Sequence, residues 1–168
     1  MKDFTDVYKE YAEQVYRFLL SLTHNEALAE ELVQETFYKA YLHIGKFKGE
    51  SSLYAWLCQI AKNLYYNDCK KNKRLNRGGS FSEEDAARAR GDTGEEVADQ
   101  YLRKEQAALL HRILHDLSEP YKEVFTLKIF GELKFREIAE LFGKTESWAK
   151  ITYYRAKERI VKEMEARQ

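Results

Sequence analysis

The chain has 168 residues, 44% of them hydrophobic and 14% aromatic, and its 28 basic side chains cancel 28 acidic ones. This balance excludes a wholly disordered chain, and one proline with 8 glycines leaves too little turn chemistry for a sandwich or barrel. The apolar run Phe18-Leu19-Leu20 is too short for a membrane span or a signal-peptide core, and two cysteines without an export signal suggest a reducing compartment. The expectation is therefore a cytoplasmic, all-helical protein with no membrane insertion of its own.

Val7, Tyr8, Tyr11, Val15, Phe18, Leu19 and Leu22 recur at three- and four-residue spacing, which predicts an amphipathic helix ending near Thr23-His24. Asn25 suits the N-cap of a second helix, with Glu26, Glu30 and Glu31 near its positive end. Leu28, Leu32, Val33, Phe37, Ala40 and Tyr41 form its predicted buried stripe, and Glu31, Gln34, Glu35 and Lys39 lie on or near another face. A loop over Gly45–Glu50 follows. Ser51 or Ser52 can cap a third helix through Trp56, Leu57, Ile60, Ala61 and Leu64 to a basic end at Lys70–Arg74. From Lys62 to Arg77 six basic residues stand against Asp68 alone.

The segment from Gly78 to Tyr101 differs in texture. It holds seven acidic residues against Arg88 and Arg90, half of the glycines, and almost no large apolar side chain except Phe81. Such a stretch cannot bury enough surface to offset its ordering entropy, so it reads as a flexible acidic linker over 77–100. It separates domains at 1–76 and 101–168, each small but within the range that folds alone.

Beyond it, a helix over about 101–117 is expected from Leu102, Ala107, Leu109, Leu110, Ile113, Leu114 and Leu117. Ser118-Glu119-Pro120 reads as an N-cap and first turn for a helix reaching Ile129. After a break at Phe130–Leu133, Phe135–Phe142 forms a helix closed by Gly143, and Thr145 caps a last helix from Glu146 to about Met164. Helix, glycine-containing turn and basic helix make a helix-turn-helix, the arrangement that lays its second helix in a DNA major groove.

Three stretches of the first domain carry a resemblance: Glu30-Glu31-Leu32-Val33-Gln34-Glu35-Thr36-Phe37-Tyr38-Lys39-Ala40-Tyr41, Phe47–Leu57, and Ile60-Ala61-Lys62-Asn63-Leu64. With this spacing they resemble region two of the extracytoplasmic-function (group IV) sigma factors of bacterial RNA polymerase. Leu117–Phe125, Ile138–Gly143 and Tyr154-Arg155-Ala156-Lys157 resemble sigma region four, and the order of the two modules adds specificity.

The resemblance implies a dissociable specificity subunit that binds core RNA polymerase through the β′ clamp helices and the β flap. It would recognise −35 and −10 promoter DNA, melt the latter, and perform no covalent chemistry. The clamp helices would be met by Glu31, Gln34, Glu35 and Lys39. The −10 element would fall to Lys48, Gly49, Glu50, Ser51, Ser52, Trp56 and Asn63, with Lys70 and Lys71 at the basic helix end. Hydroxyl and backbone donors, an aromatic ring and a basic helix end suit a splayed base and its phosphates. The spacing of Trp56 suits the core equally well, and its place stays open here. At the −35 element, Lys150, Ile151, Tyr154 and Arg155 would lie near base edges, with Lys144, Lys157 and Arg159 on phosphates. Lys144, Trp148 and Ile151-Thr152 depart from the usual region-four pattern, which bears on the sequence read. A cognate anti-sigma factor, often membrane-anchored in this family, is an expected partner.

Two other readings compete. A stand-alone helix-turn-helix repressor or activator would bind duplex DNA without polymerase, usually as a dimer, but no heptad seam is present. A helical metalloenzyme would use His111 and His115, four residues apart; no further ligand lies nearby in sequence, and neither a metal nor a cofactor is expected. Cys58 and Cys69 stand about 16 Å apart along one helix and cannot bridge.

Overall fold

A computed structural model describes residues 3–76 and 94–167. Seven α-helices make up the described fold, with no strand among the described residues: α1 (Phe4–Thr23), α2 (Glu26–His43), α3 (Leu53–Asn76), α4 (Gly94–Asp116), α5 (Tyr121–Ile129), α6 (Phe135–Phe142) and α7 (Glu146–Ala166). The all-helical expectation holds. What was expected of residues 77–93 lies outside the described residues. Helix α4 begins at Gly94, within the segment read as linker, and Val97, Gln100 and Lys104 recur along it as half-buried positions.

The first three helices form a bundle. Helix α1 ends where His24 turns left-handed (φ 51°), its N–H bonding Leu20 O at 2.8 Å. Asn25 caps α2 as its chemistry suggested, its Oδ1 accepting from Leu28 N at 3.0 Å. Of the two candidate serines, Ser52 caps α3, accepting from Ala55 N at 3.1 Å. Val15, Phe18, Leu19 and Leu22 of α1 enclose the core with Leu32 and Phe37 of α2 and Leu57 of α3. Ala29, Ala40, Ala55 and Ala61 are wholly buried, and such small side chains allow close helix approach.

The remaining helices form the helix-turn-helix unit. Ser118 does not cap α5 with its side chain; the Glu119 carboxylate accepts from Glu123 N instead, at 3.2 Å. Lys134 N donates to Glu137 Oε1 at 3.0 Å, opening α6, and Gly143 closes it in the left-handed region (φ 63°). Lys144 N then bonds Ala139 O at 2.9 Å, which satisfies a carbonyl the helix end leaves free. Thr145 Oγ1 accepts from Trp148 N at 3.1 Å and starts α7. Ala149, Tyr153, Ala156 and Ile160 of α7 pack onto Val124 and Phe125 of α5 and Ile138 of α6.

The two units meet. Helix α3 packs against α5 and α6, and the apolar core runs continuously through both halves. Tyr65 is fully buried with its hydroxyl 3.2 Å from His115 Nε2. Thr126 Oγ1 spends its single proton on Lys122 O at 2.7 Å, so Tyr66 is the donor in their 2.9 Å contact.

Candidate polymerase and nucleic-acid interfaces

Three exposed surfaces carry the residues singled out from the sequence. On α2, Glu31, Gln34, Glu35 and Lys39 are all exposed, because Leu32, Val33, Phe37 and Ala40 turn the opposite stripe into the bundle. Tyr41, expected in that stripe, instead stands 60% exposed with its ring edge-on to Phe4 at 5.3 Å. Tyr38 and Leu42, at 64% and 55% exposed, follow Glu31, Gln34 and Glu35 at helical spacing on the same face. Sequence reasoning missed these apolar members. Their signal was two large side chains, Tyr38 and Leu42, falling outside the predicted buried stripe. An exposed aromatic and aliphatic strip rimmed by charges suits a protein partner better than solvent.

The second surface is the loop before α3 and the adjoining face of that helix. Lys48, Gly49 and Glu50 are exposed, with Gly49 at φ 73°, a conformation that favours glycine. Trp56 is half-buried, its ring 5.1 Å from that of Phe47, so it neither fills the core nor stands free. Asn63, two turns further on, is exposed, as are Lys70 and Lys71. Ser51 and Ser52 are half-buried, and the Ser52 hydroxyl donates to Glu137 Oε2 of α6 at 2.8 Å.

The third surface is α7. Lys150, Ile151, Tyr154 and Arg155 share one side, opposite Ala149, Thr152, Tyr153 and Ala156, which anchor the helix. Ile151 is 51% exposed and Tyr154 58%, so two large apolar groups face outward between cations. Lys144 and Lys157 are exposed beside this side. Arg159 does not join it. Its guanidinium lies 4.1 Å from the centre of the Tyr121 ring, on the flank toward α5, in a cation–π contact. Trp148 leans on Phe142 with ring centres 5.2 Å apart, which accounts for an indole at this unusual position: it braces the turn between the two helices.

The two histidines of α4 turn toward different partners. His111 is buried, with its Nε2 3.2 Å from that of His24, whereas His115 turns toward Tyr65. Burial, followed by the charges of His24 and His115, pushes His111 down to about 4, so it is neutral near pH 7. No group of three or more His, Cys, Asp or Glu side chains suited to a metal occurs among the described residues. Burial raises Cys58 to about 12 and Cys69 to about 11, so both are protonated thiols at neutral pH. No helix among the described residues is long and apolar enough to cross a membrane.

Comparison with known proteins places the chain in a family. Residues 7–75 match the model of Sigma-70 region 2, and residues 107–160 that of Sigma-70, region 4. The ECF RNA polymerase sigma factor SigM of Bacillus subtilis is 32% identical over 155 residues, covering 92% of this chain and 91% of that protein. RNA polymerase sigma factor YlaC of the same organism is 30% identical over 160 residues, or 95% and 90% of the two chains. Among solved structures, the sigma factor RpoE in complex with the anti-sigma factor NepR from Bartonella quintana aligns over 100% of both chains, at a TM-score of 0.55 and 21% identity. CnrH, solved with the cytosolic domain of CnrY, aligns over 98% of this chain and 89% of its own, at a TM-score of 0.56 and 20% identity, a likeness of fold. With both regions matched in order and relatives of this similarity spanning nearly the whole length, the chain belongs to the sigma-70 family, within its extracytoplasmic-function group.

Proposed function

We propose that this chain is an alternative sigma factor that binds core RNA polymerase and directs it to promoters bearing its own −35 and −10 elements. The observation that carries this reading is the pairing, in one chain, of two differently built exposed surfaces. Acidic and aromatic side chains line α2 (Glu31, Gln34, Glu35, Tyr38), and cationic and aromatic ones line α7 (Lys150, Tyr154, Arg155). The α2 strip docks on the polymerase. The cations and ring of α7 enter the major groove at −35, where Arg155 supplies a bidentate donor to a guanine edge or a phosphate. The α3 surface with Trp56 and Asn63 holds an unstacked base of the −10 element, and Lys70 and Lys71 neutralise the strand beside it. The polymerase supplies the phosphoryl chemistry. An anti-sigma factor, the kind of partner with which the relative RpoE was solved, regulates the chain by covering these surfaces.

Run-off transcription with purified core polymerase over a pool of promoter fragments tests the reading. Wild type gives promoter-dependent transcripts; Glu35→Lys and Arg155→Ala each reduce them about tenfold or more, the first through core binding and the second through promoter affinity. Tight duplex binding by the chain alone, with no transcript and no core binding, would establish a repressor instead.

A further inference from the structure

Where the end of α1 meets α4, two imidazoles from different halves of the chain face each other nitrogen to nitrogen. His24 Nε2 and His111 Nε2 stand 3.2 Å apart, with ring centres 5.1 Å apart and ring planes at 86°. By itself the pair makes a hydrogen bond, one Nε2 donating its proton to the lone pair of the other. The same distance has a second meaning. A zinc ion that binds two imidazole nitrogens at about 2.05 Å and at the tetrahedral angle holds them roughly 3.3 Å apart.

Both rings are held in place by their own surroundings. His24 occupies the left-handed region (φ 51°) at the end of α1, a conformation that favours glycine. It belongs to a link of two residues, His24 and Asn25, between α1 and α2. The link is fixed at both ends. His24 N–H bonds Leu20 O at 2.8 Å, and Asn25 N donates to Oγ1 of the fully buried Thr23 at 3.2 Å. His111 is 4% exposed and lies against the Phe130 ring, with centres 5.2 Å apart. Ligands positioned in this way give up little conformational freedom on binding. Because His24 is exposed, an ion can enter from solvent and water can complete its coordination. His115, one turn along α4, is directed elsewhere, its Nε2 3.2 Å from the Tyr65 hydroxyl.

We propose that His24 and His111 form a two-histidine site for a divalent transition metal of the zinc kind, bridging the end of α1 to α4. Imidazole nitrogen suits zinc, nickel and cobalt, whereas magnesium and calcium take oxygen ligands. On binding, both Nε2 lone pairs go to the metal, and the proton that lay between them moves to Nδ1 of the ring that carried it. Residues 24 and 111 belong to different halves, so the bound ion favours their packed arrangement. Neither polymerase nor promoter DNA enters this inference, so its failure would leave the sigma-factor reading untouched.

The test titrates the full chain, free of any histidine tag, with zinc chloride at pH 7.5 by isothermal calorimetry, and follows urea unfolding with and without zinc. Wild type should bind one ion per chain with micromolar affinity. Zinc at about ten times the dissociation constant should raise the folding equilibrium constant about tenfold. His24→Gln and His111→Gln should each weaken binding about tenfold or more and lose the zinc-dependent rise in urea midpoint. Since His24 is exposed, its variant serves if His111→Gln does not fold. His43→Gln and His115→Gln, which change the other two histidines of the chain, should bind within about twofold of wild type. No binding up to about 1 mM zinc, or wild-type affinity in His24→Gln, would overturn the site. Loss of binding in His115→Gln as large as in His24→Gln would overturn the two-histidine assignment.

Discussion

Gly131 shows how one residue ties local geometry to the contact between the halves. A Cβ at this position would sit 2.7 Å from the carbonyl oxygen of Leu127, a backbone atom that cannot step aside. The same turn is held by Gly131 N–H to Thr126 O and Leu133 N–H to Leu127 O, both at 3.2 Å, and the glycine carbonyl receives the Tyr54 hydroxyl. Gly131→Ala should therefore cost about 1–3 kcal/mol, read as a lower urea midpoint at unchanged slope. An unchanged midpoint would mean that the turn relaxes freely. From the sequence this glycine marked a break between helices; its close approach to Leu127 is set by the turn's tertiary path. Asn25, Gly143 and Thr145 were legible as caps because capping depends on a few consecutive residues. Ser118 misled for the same reason: a cap-forming hydroxyl stood in sequence beside a carboxylate, Glu119, that reaches the free N–H instead.

At the scale of the helix, periodicity identified the buried sides of α2 and α7 but did not settle their margins. Tyr41 lies at the edge of the α2 stripe, and whether an edge residue is covered depends on which neighbour arrives there; the Phe4 ring meets it edge-on and leaves it 60% exposed. The exposed strip of Tyr38 and Leu42 leads to a direct expectation. Because both are more than half exposed, Tyr38→Ala and Leu42→Ala should change folding stability by less than about 0.5 kcal/mol. Each should nevertheless weaken core-polymerase binding about five- to thirtyfold in a pull-down titration or by surface plasmon resonance, the range of a hydrophobic anchor at an interface. Wild-type affinity in both variants would remove the strip from the docking surface. On α7, the shared side of Lys150, Ile151, Tyr154 and Arg155 follows from 3.6 residues per turn; Arg159, only about 40° round the helix from Arg155, is drawn off by the Tyr121 ring that the packing of α5 brings beside it. The resemblance groups Arg159 with Lys144 and Lys157 on phosphates.

The whole molecule adds a dependence that no single helix has. His111 of α4 meets His24 at the end of α1, His115 one turn along its own helix, and the Phe130 ring at 5.2 Å. Its pKa is lowered to about 4 in the folded protein, against about 6.5 when exposed. The unfolded chain therefore takes up the proton first. The stabilisation is complete above pH 6.5 and is lost as pH falls from there through 4. Between pH 7.5 and 5 wild type should lose about 2 kcal/mol of unfolding free energy by this route, and His111→Gln should lose markedly less in paired urea titrations. Equal losses would show that His111 is not the titrating group.

By itself the sequence determined the helical class, the order of the two modules, the caps at Asn25, Gly143 and Thr145, and the faces that hold Glu31, Gln34, Glu35 and Lys39 on α2 and Lys150, Ile151, Tyr154 and Arg155 on α7. These depend on spacings of three or four residues and on motifs contained within single helices. Tertiary structure decided what lies between the modules. Ser52 meets Glu137, Lys62 meets Glu123 and His24 meets His111 across separations of 85, 61 and 87 residues, and each pair was unremarkable as two separate positions. Lys62 illustrates the reason. In sequence it was one cation of a basic helix end, and only the packing of α5 on α3 buried it against a carboxylate, where desolvation and pairing give it a role that charge counting cannot assign.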